Sequence, residues 1–140
     1  MRTQGIEFDG EIAIGGGLSA SAAYTYLDAI DRVSRAELTG RHRHHGAARV
    51  TWAPTARPWR AELRGAFYGA WLASATERAP AFAVWDAIAA YTLRSGVELF
   101  TAVDNMLDSQ DPNTGTSDAI FRPDIGRTWR VGARWTWRQR

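Results

Sequence analysis

Thr128-Trp129-Arg130-Val131-Gly132-Ala133-Arg134-Trp135-Thr136-Trp137 is apolar at every odd position and polar, charged or glycine at every even one. A strand sends successive side chains to opposite faces, so this run predicts a strand with one dry face and one wet face. Several upstream segments repeat the pattern. Gly5 to Ile14 places Ile6, Phe8, Ile12 and Ile14 opposite Glu7, Asp9 and Glu11. Leu18 to Tyr26 sets Leu18, Ala20, Ala22, Tyr24 and Tyr26 against Ser19, Ser21, Ala23 and Thr25. Ala48, Val50 and Trp52 alternate with Arg49 and Thr51, and Trp59, Ala61, Leu63 and Phe67 alternate with Arg60, Glu62 and Arg64. Phe82 to Leu93 and Val97 to Asn105 alternate less strictly, because Ile88 and Phe100 fall on the polar parity. The expectation is seven antiparallel strands.

Strands of about ten residues, rising ~3.3 Å per residue and tilted by about 40°, span ~25 Å, the height of an outer-membrane apolar band. The connections alternate too. Gly15-Gly16-Gly17, Pro54 to Pro58 and Arg94-Ser95-Gly96 are short, whereas Asp28 to His45, Ser74 to Ala81 and Leu107 to Gly126 are long and polar. Tight turns at one end and extended loops at the other mark a transmembrane β-barrel. Tyr24, Tyr26, Trp52, Trp59, Trp71, Tyr91, Trp135 and Trp137 lie near strand ends, where an interfacial aromatic girdle is expected. A soluble sandwich would also take such aromatics on its inner face. Several full charges on each polar face, and strands longer than the usual five or six residues, favour the barrel.

Composition removes other classes. The 140 residues contain no cysteine, so thiolate catalysis and cysteine-based metal sites are absent. The formal net charge is only +2 and every basic residue is arginine, which gives no nucleic-acid signal. The longest apolar run, Ala87 to Tyr91, is far too short for a membrane-spanning helix. Met1 to Gly5 contains no apolar segment of the kind that marks a secretory signal. Single-chain bacterial barrels have even strand numbers from about 8 upward. Seven strands therefore suggest a C-terminal part, residues 1–140, of a larger barrel.

Several stretches resemble the barrel of TonB-dependent outer-membrane receptors. Gly5-Ile6-Glu7 resembles a recurrent strand opening, and Ala23-Tyr24-Thr25-Tyr26-Leu27-Asp28 resembles the "Tyr-Thr-Tyr-Leu-Asp" strand end. Arg41 to His45 stands where a Pro-x-His segment is common, with His42 in place of proline. Val103-Asp104-Asn105-Met106-Leu107-Asp108 resembles "Val-x-Asn-Leu-Phe-Asp". Gly126-Arg127 and the strand to Trp137 resemble the closing "Pro-Gly-Arg" and terminal strand, with Ile125 for proline and Arg138-Gln139-Arg140 beyond the usual aromatic end. Asn105, Asp108, Gly126, Arg127 and Trp137 are the motif positions.

The resemblance implies an all-β fold, about seven strands of a 22-stranded barrel, with the plug domain and N-terminal strands outside this sequence. It implies a receptor in the Gram-negative outer membrane, not an enzyme, that takes up a scarce nutrient such as a ferric siderophore, haem or cobalamin. The implied partners are outer-membrane lipid, the plug, the inner-membrane TonB complex, the barrel-assembly machinery and a small-molecule ligand. A small non-transporting barrel and a soluble β-sandwich or barrel that binds a ligand remain as alternatives.

Other chemistry is weaker. Gly15-Gly16-Gly17-Leu18-Ser19-Ala20 formally fits a dinucleotide fingerprint, but Leu18 to Tyr26 keeps strand parity where a helix is needed, and Glu37 has no strand before it. His42 and His44 at i, i+2 could share a metal on a strand, yet no acidic ligand is close in sequence, so no metal or cofactor is expected. Asp111-Pro112-Asn113-Thr114-Gly115 has turn chemistry without calcium-loop offsets. Arg35, Arg41, Arg43, His44 and His45, in an expected external loop, are candidate contacts for an anionic ligand. Glu7, Asp9, Glu11, Arg49, Arg60, Glu62, Arg64, Arg130 and Arg134 are expected to face the lumen and pair across strands.

Overall fold

The computed structural model describes residues 1–110 and 126–135. Alternating parity over long runs yields strands β1 (Arg2–Gly15), β2 (Leu18–Ile30), β3 (His44–Trp52), β4 (Trp59–Tyr68), β7 (Phe82–Thr92), β8 (Val97–Asp104) and β9 (Thr128–Trp135). They form one antiparallel sheet in the order β1-β2-β3-β4-β7-β8-β9. The sheet is open, with β1 and β9 at its edges. Two short strands, β5 (Trp71–Leu72) and β6 (Arg78–Ala79), pair with each other between β4 and β7. No helix of the described residues is long and apolar enough to cross a membrane, which has no bearing on strands.

Three details depart from the sequence reading. The connection expected over Ser74 to Ala81 contains half of the β5–β6 hairpin. The loop expected from Asp28 to His45 is shorter at both ends, because β2 runs to Ile30 and β3 begins at His44. Trp71 is not a girdle residue. It is only 6% exposed, with its ring 5.3 Å from that of His42. Trp137 lies outside the described residues.

Register keeps the two faces separate across all seven strands. One row of cross-strand partners runs Ile12–Ala20–Val50–Leu63–Ala87–Val103–Trp129, entirely free of charge. Ile6, Phe8, Trp52, Trp59, Leu99, Val131 and Trp135 share that face. Its large side chains are open to the surroundings, at 70% for Ile6 and 83% for Val131. Among the described residues no large side chain is fully buried, and the core is reduced to Ala29, Trp71, Ala79, Ala90, Ala102 and Val103. A sandwich must bury its aromatic row under a second sheet, and this fold has none. In water such an apolar face would be an unusually large exposed patch, whereas against lipid it is the expected surface. The soluble sandwich is therefore set aside.

Aromatics gather at the two ends of this face. Tyr24 and Phe67 lie toward the long-loop end, and Trp52, Trp59, Tyr91 and Trp135 toward the short-turn end. Trp59 and Tyr91 meet edge to face at 4.7 Å. This two-girdle arrangement suits amphipathic rings at both membrane boundaries.

The short turns are tied together. Gly17, at φ +82°, accepts a hydrogen bond from Ala53 N–H at 2.8 Å. A Cβ on Gly17 would sit 2.4 Å from the Pro54 backbone. Gly17→Ala is therefore expected to cost at least about 1 kcal/mol, from left-handed strain plus the clash. Urea unfolding in detergent micelles measures it, and Gly16→Ala, with nothing within 4 Å of the added methyl, is the milder comparison.

Candidate functional site

The face opposite the apolar one carries the chemistry. Its rows are set by the same register. Glu7–Thr25–His45–Tyr68–Phe82 is an aromatic-rich row, Asp9–Ala23–Ala47–Ala66–Val84 a row of small side chains, and Glu11–Ser21–Arg49–Arg64–Asp86 a charged row. Small residues between taller neighbours leave a trough that crosses the strands. A recess of about 470 Å³ opens there, floored by Ala23, Ala47, Ala66 and Val84 and edged by Arg49, Arg64 and Asp86. Strand spacing of ~4.8 Å makes the five-strand row about 19 Å long.

Arg49 and Arg64 are direct cross-strand partners, a like-charge juxtaposition that is unfavourable by itself. A single carboxylate serves both. Glu62 lies 3.0 Å from Arg64 Nε and 3.8 Å from Arg49 Nε, and also accepts from Thr51 Oγ1 at 3.4 Å. Each arginine side chain remains about half exposed, at 55% and 48%. The Arg49–Arg64 stretch therefore carries one positive charge in excess of Glu62, and it is flanked in the same recess by Asp9, Glu11 and Asp86. Asp86, on the far side, accepts a hydrogen bond from the Asn105 N–H at 2.9 Å.

Further along the wall, Glu98 is shared by Arg60 and Arg134, each at 3.5 Å, and Arg130 makes a two-pronged contact with Asp104 at 2.7 Å. Arg60 reaches across β7 at Ala90, whose small side chain leaves the path clear. Arg49, Arg60, Glu62, Arg64, Arg130 and Arg134 thus lie on one face, all but Arg64 pairing across strands and Arg64 pairing with Glu62 on its own strand. Glu7, Asp9 and Glu11 share the face but pair with nothing among the described residues. Asp86, Glu98 and Asp104 were absent from the sequence candidates. Even parity in β7 and β8 would have found them, had Ile88 and Phe100 not blurred it. Phe100 is on the polar face because it covers Gly132, where a Cβ would lie 2.7 Å from its ring.

At the long-loop end, the segment between β2 and β3 folds onto the β5–β6 hairpin. Gly40 N–H donates to the Leu72 carbonyl at 2.9 Å. Arg43 pairs with Asp28 at 3.3 Å and Glu37 at 3.7 Å, and Arg78 pairs with Glu37 at 2.8 Å. His42 hydrogen-bonds the Gly69 carbonyl through Nδ1 at 2.7 Å, its ring set among Tyr68, Trp71 and Phe82. His44 is on β3, on the apolar face, with Nδ1 2.6 Å from the Tyr24 hydroxyl. His45 is on the opposite face, paired in register with Thr25 and Tyr68.

The shared histidine site considered from i, i+2 spacing therefore does not form. The strand begins at His44, so strand alternation does not reach His42. No cluster of metal ligands occurs among the described residues. Arg35 and Arg41 remain exposed, Arg35 at φ +57°. Of the candidate contacts, only Arg43 is already held by two carboxylates.

Asp31 organises this loop by accepting from Val33 N–H and Ser34 N–H, both at 2.8 Å, and from Ser34 Oγ. The backbone bond from Ser34, then that from Val33, holds its carboxyl below the ordinary Asp value. Because the folded form has the lower pKa, the turn is fully supported above the unfolded value and is lost as pH falls through the folded one. Faster amide exchange at Val33 and Ser34 in acid, beyond the intrinsic pH trend, is the expected result. Glu37→Ala should free Arg78 and leave Arg43 on Asp28 alone. Proteolysis within residues 31–43 is expected to accelerate, while global stability shifts by no more than about 1 kcal/mol, since both arginines are partly exposed.

The motif positions Asn105, Asp108, Gly126 and Arg127 come together although up to 22 positions separate them in sequence. Asn105, 7% exposed at φ +49°, exchanges two side-chain hydrogen bonds with the Ser109 backbone, both 2.8 Å. Asp108 Oδ1 accepts from Arg127 N–H at 2.9 Å and lies 2.8 Å from where a Gly126 Cβ would be. A side chain at 126 would push against the carboxylate that clasps the loop ends.

Residues 1–106 match the family described as TonB dependent receptor-like, beta-barrel. The chain belongs to this family. No curated protein matches the chain. TonB-dependent receptors are transporters of the Gram-negative outer membrane, working with a plug and the TonB complex. In such barrels one face of the wall meets lipid and the other lines the lumen.

Proposed function

We propose that residues 1–140 are the C-terminal part of the barrel of a TonB-dependent receptor, its plug and earlier strands lying outside this sequence. The receptor takes up a scarce nutrient such as a ferric siderophore, haem or cobalamin. The observation that carries the lumenal part of this reading is the Arg49–Arg64 pair beside the small-residue trough, two guanidiniums sharing one carboxylate. The Arg49–Arg64 stretch suits a carboxylate, whether on an anionic chelate or on the plug, with Asp9, Glu11 and Asp86 as its acidic flank. Arg35 and Arg41, exposed at the long-loop end, are the first cations an incoming anionic ligand meets. Arg60, Arg130 and Arg134 with their acidic partners keep the wall rigid behind the plug. The TonB complex acts on the plug, and the barrel-assembly machinery inserts the barrel.

Deleting residues 1–140 from the chromosomal gene tests this reading. The expected result is loss of growth on one scarce nutrient among ferric chelates, haem and cobalamin, with rescue by the intact gene only in cells that have TonB. Unchanged growth on all three, or TonB-independent rescue, would overturn it. In the intact receptor, Arg49→Gln with Arg64→Gln is expected to lower ligand uptake at least about tenfold, the loss of two charge-assisted contacts.

A further inference from the structure

The apolar face is not evenly filled. Two uncharged rows run side by side across it, Trp52–Ala61–Ala89–Thr101 and Val50–Leu63–Ala87–Val103–Trp129. Ala61, Ala87 and Ala89 are short where Trp52, Leu63 and Trp129 around them are tall, and a recess of about 410 Å³ opens among these residues. Leu63 is in the middle of β4, and the Ala61–Ala89 pair is one step nearer the short turns. The next pair in that direction is Trp59 and Tyr91, which meet edge to face. From Leu63 to Trp59 the strand rises ~13 Å, close to half of a ~30 Å hydrocarbon core. The recess thus has the length of one leaflet's apolar part.

Beyond the Trp59–Tyr91 pair, charge has one sign. The turns between β3 and β4 and between β7 and β8 contain Arg57 and Arg94 and no acidic residue, and the turn between β1 and β2 contains only glycine. Both arginines are exposed, and neither pairs with any group among the described residues. The two turns are neighbours, joined by Thr92 N–H donating to the Pro58 carbonyl at 2.8 Å.

We propose that the recess and these turns bind one anionic phospholipid of the leaflet at the short-turn end, an acyl chain lying over the three alanines and the phosphate held by Arg57 and Arg94. The site rests on the receptor-barrel reading, which puts the apolar face in the membrane and the short turns at the periplasmic surface. Any lipid can cover a flat apolar wall, whereas a recess with unpaired guanidiniums at its head end favours one bearing net negative charge. A second copy of the chain fits less well. Inserted in the same sense, it would bring its own Arg57 and Arg94 to the same end and add like charge.

The test uses the intact receptor, purified from outer membranes in mild detergent and studied by native mass spectrometry. Phosphatidylglycerol or phosphatidylcholine with identical chains is added. The expected result is about tenfold more adduct with phosphatidylglycerol. Arg57→Gln combined with Arg94→Gln should make the two lipids equal. Ala61→Leu combined with Ala89→Leu fills the recess, keeps both arginines, and should remove most of the adduct of either lipid. Equal adducts on the unaltered receptor, a phosphatidylglycerol preference that survives loss of both arginines, full binding to the filled recess, or a dimer in place of bound lipid would each overturn the site and leave the receptor reading intact. A protein recovered outside the outer membrane, with no heat-shifted gel band, would overturn the receptor-barrel reading and the lipid site with it.

Discussion

Leu63→Arg is expected to destabilise the barrel by about 2–4 kcal/mol, the cost of an arginine on the lipid face near the bilayer midplane. Leu63 lies in the middle of β4, between Trp59 toward the short turns and Phe67 toward the long loops, on the uncharged row that crosses the whole wall. Its register neighbours Val50 and Ala87 are apolar and offer an arginine no partner. Equilibrium urea unfolding in lipid vesicles, followed by tryptophan fluorescence, reads the effect. Ala47→Arg, one strand away on the lumenal parity, is the matched comparison and is expected to stay within about 1 kcal/mol. Equal losses at the two positions would mean that both faces meet the same medium, and would contradict a membrane wall.

Asn105→Ala is the second large effect, expected at about 2–3 kcal/mol. The substitution strands the Ser109 N–H and carbonyl, which lose both partners at once. It also puts alanine at φ +49°, a conformation that asparagine tolerates better. Asn105→Gly separates these causes, since glycine removes the strain and keeps the loss of hydrogen bonds. A glycine variant that recovers about 1 kcal/mol of the alanine loss assigns that share to backbone conformation. Asp108→Ala is expected to be milder because Arg127 N–H is exposed and can turn to water. Thermal melts of the detergent-refolded chain, read by circular dichroism, rank the three.

Most of the wall was legible because its physical cause is a period of two. Trp129, Val131, Ala133 and Trp135 announce β9 by parity alone, and the same parity places Arg49, Glu62 and Arg64 on one face. Parity failed where packing between strands overrides solvent. Phe100 is on the charged face because Gly132 leaves a hole for its ring, and only the register reveals that those two residues are opposite each other. The loops were legible as long and polar, but not in what they build. Trp71 looked like a girdle residue from its spacing, yet pairs in β5 and packs against His42, which depends on a hairpin with no alternation long enough to read. The trough depends on Ala23, Ala47, Ala66 and Val84 being level with one another. Each strand shows its own alanine or valine, and only the pairing lines them up.

Gly65 and Trp85 face each other on the lipid side, and a Cβ at 65 would come within 2.7 Å of the indole. The two positions therefore hold one shared allotment of volume, spent almost wholly on β7. Among relatives that keep this wall, a bulkier residue at 65 should appear only together with a slimmer one at 85. A comparison that scores each site alone would record variation at 65 and at 85 and would miss that they drift as a couple.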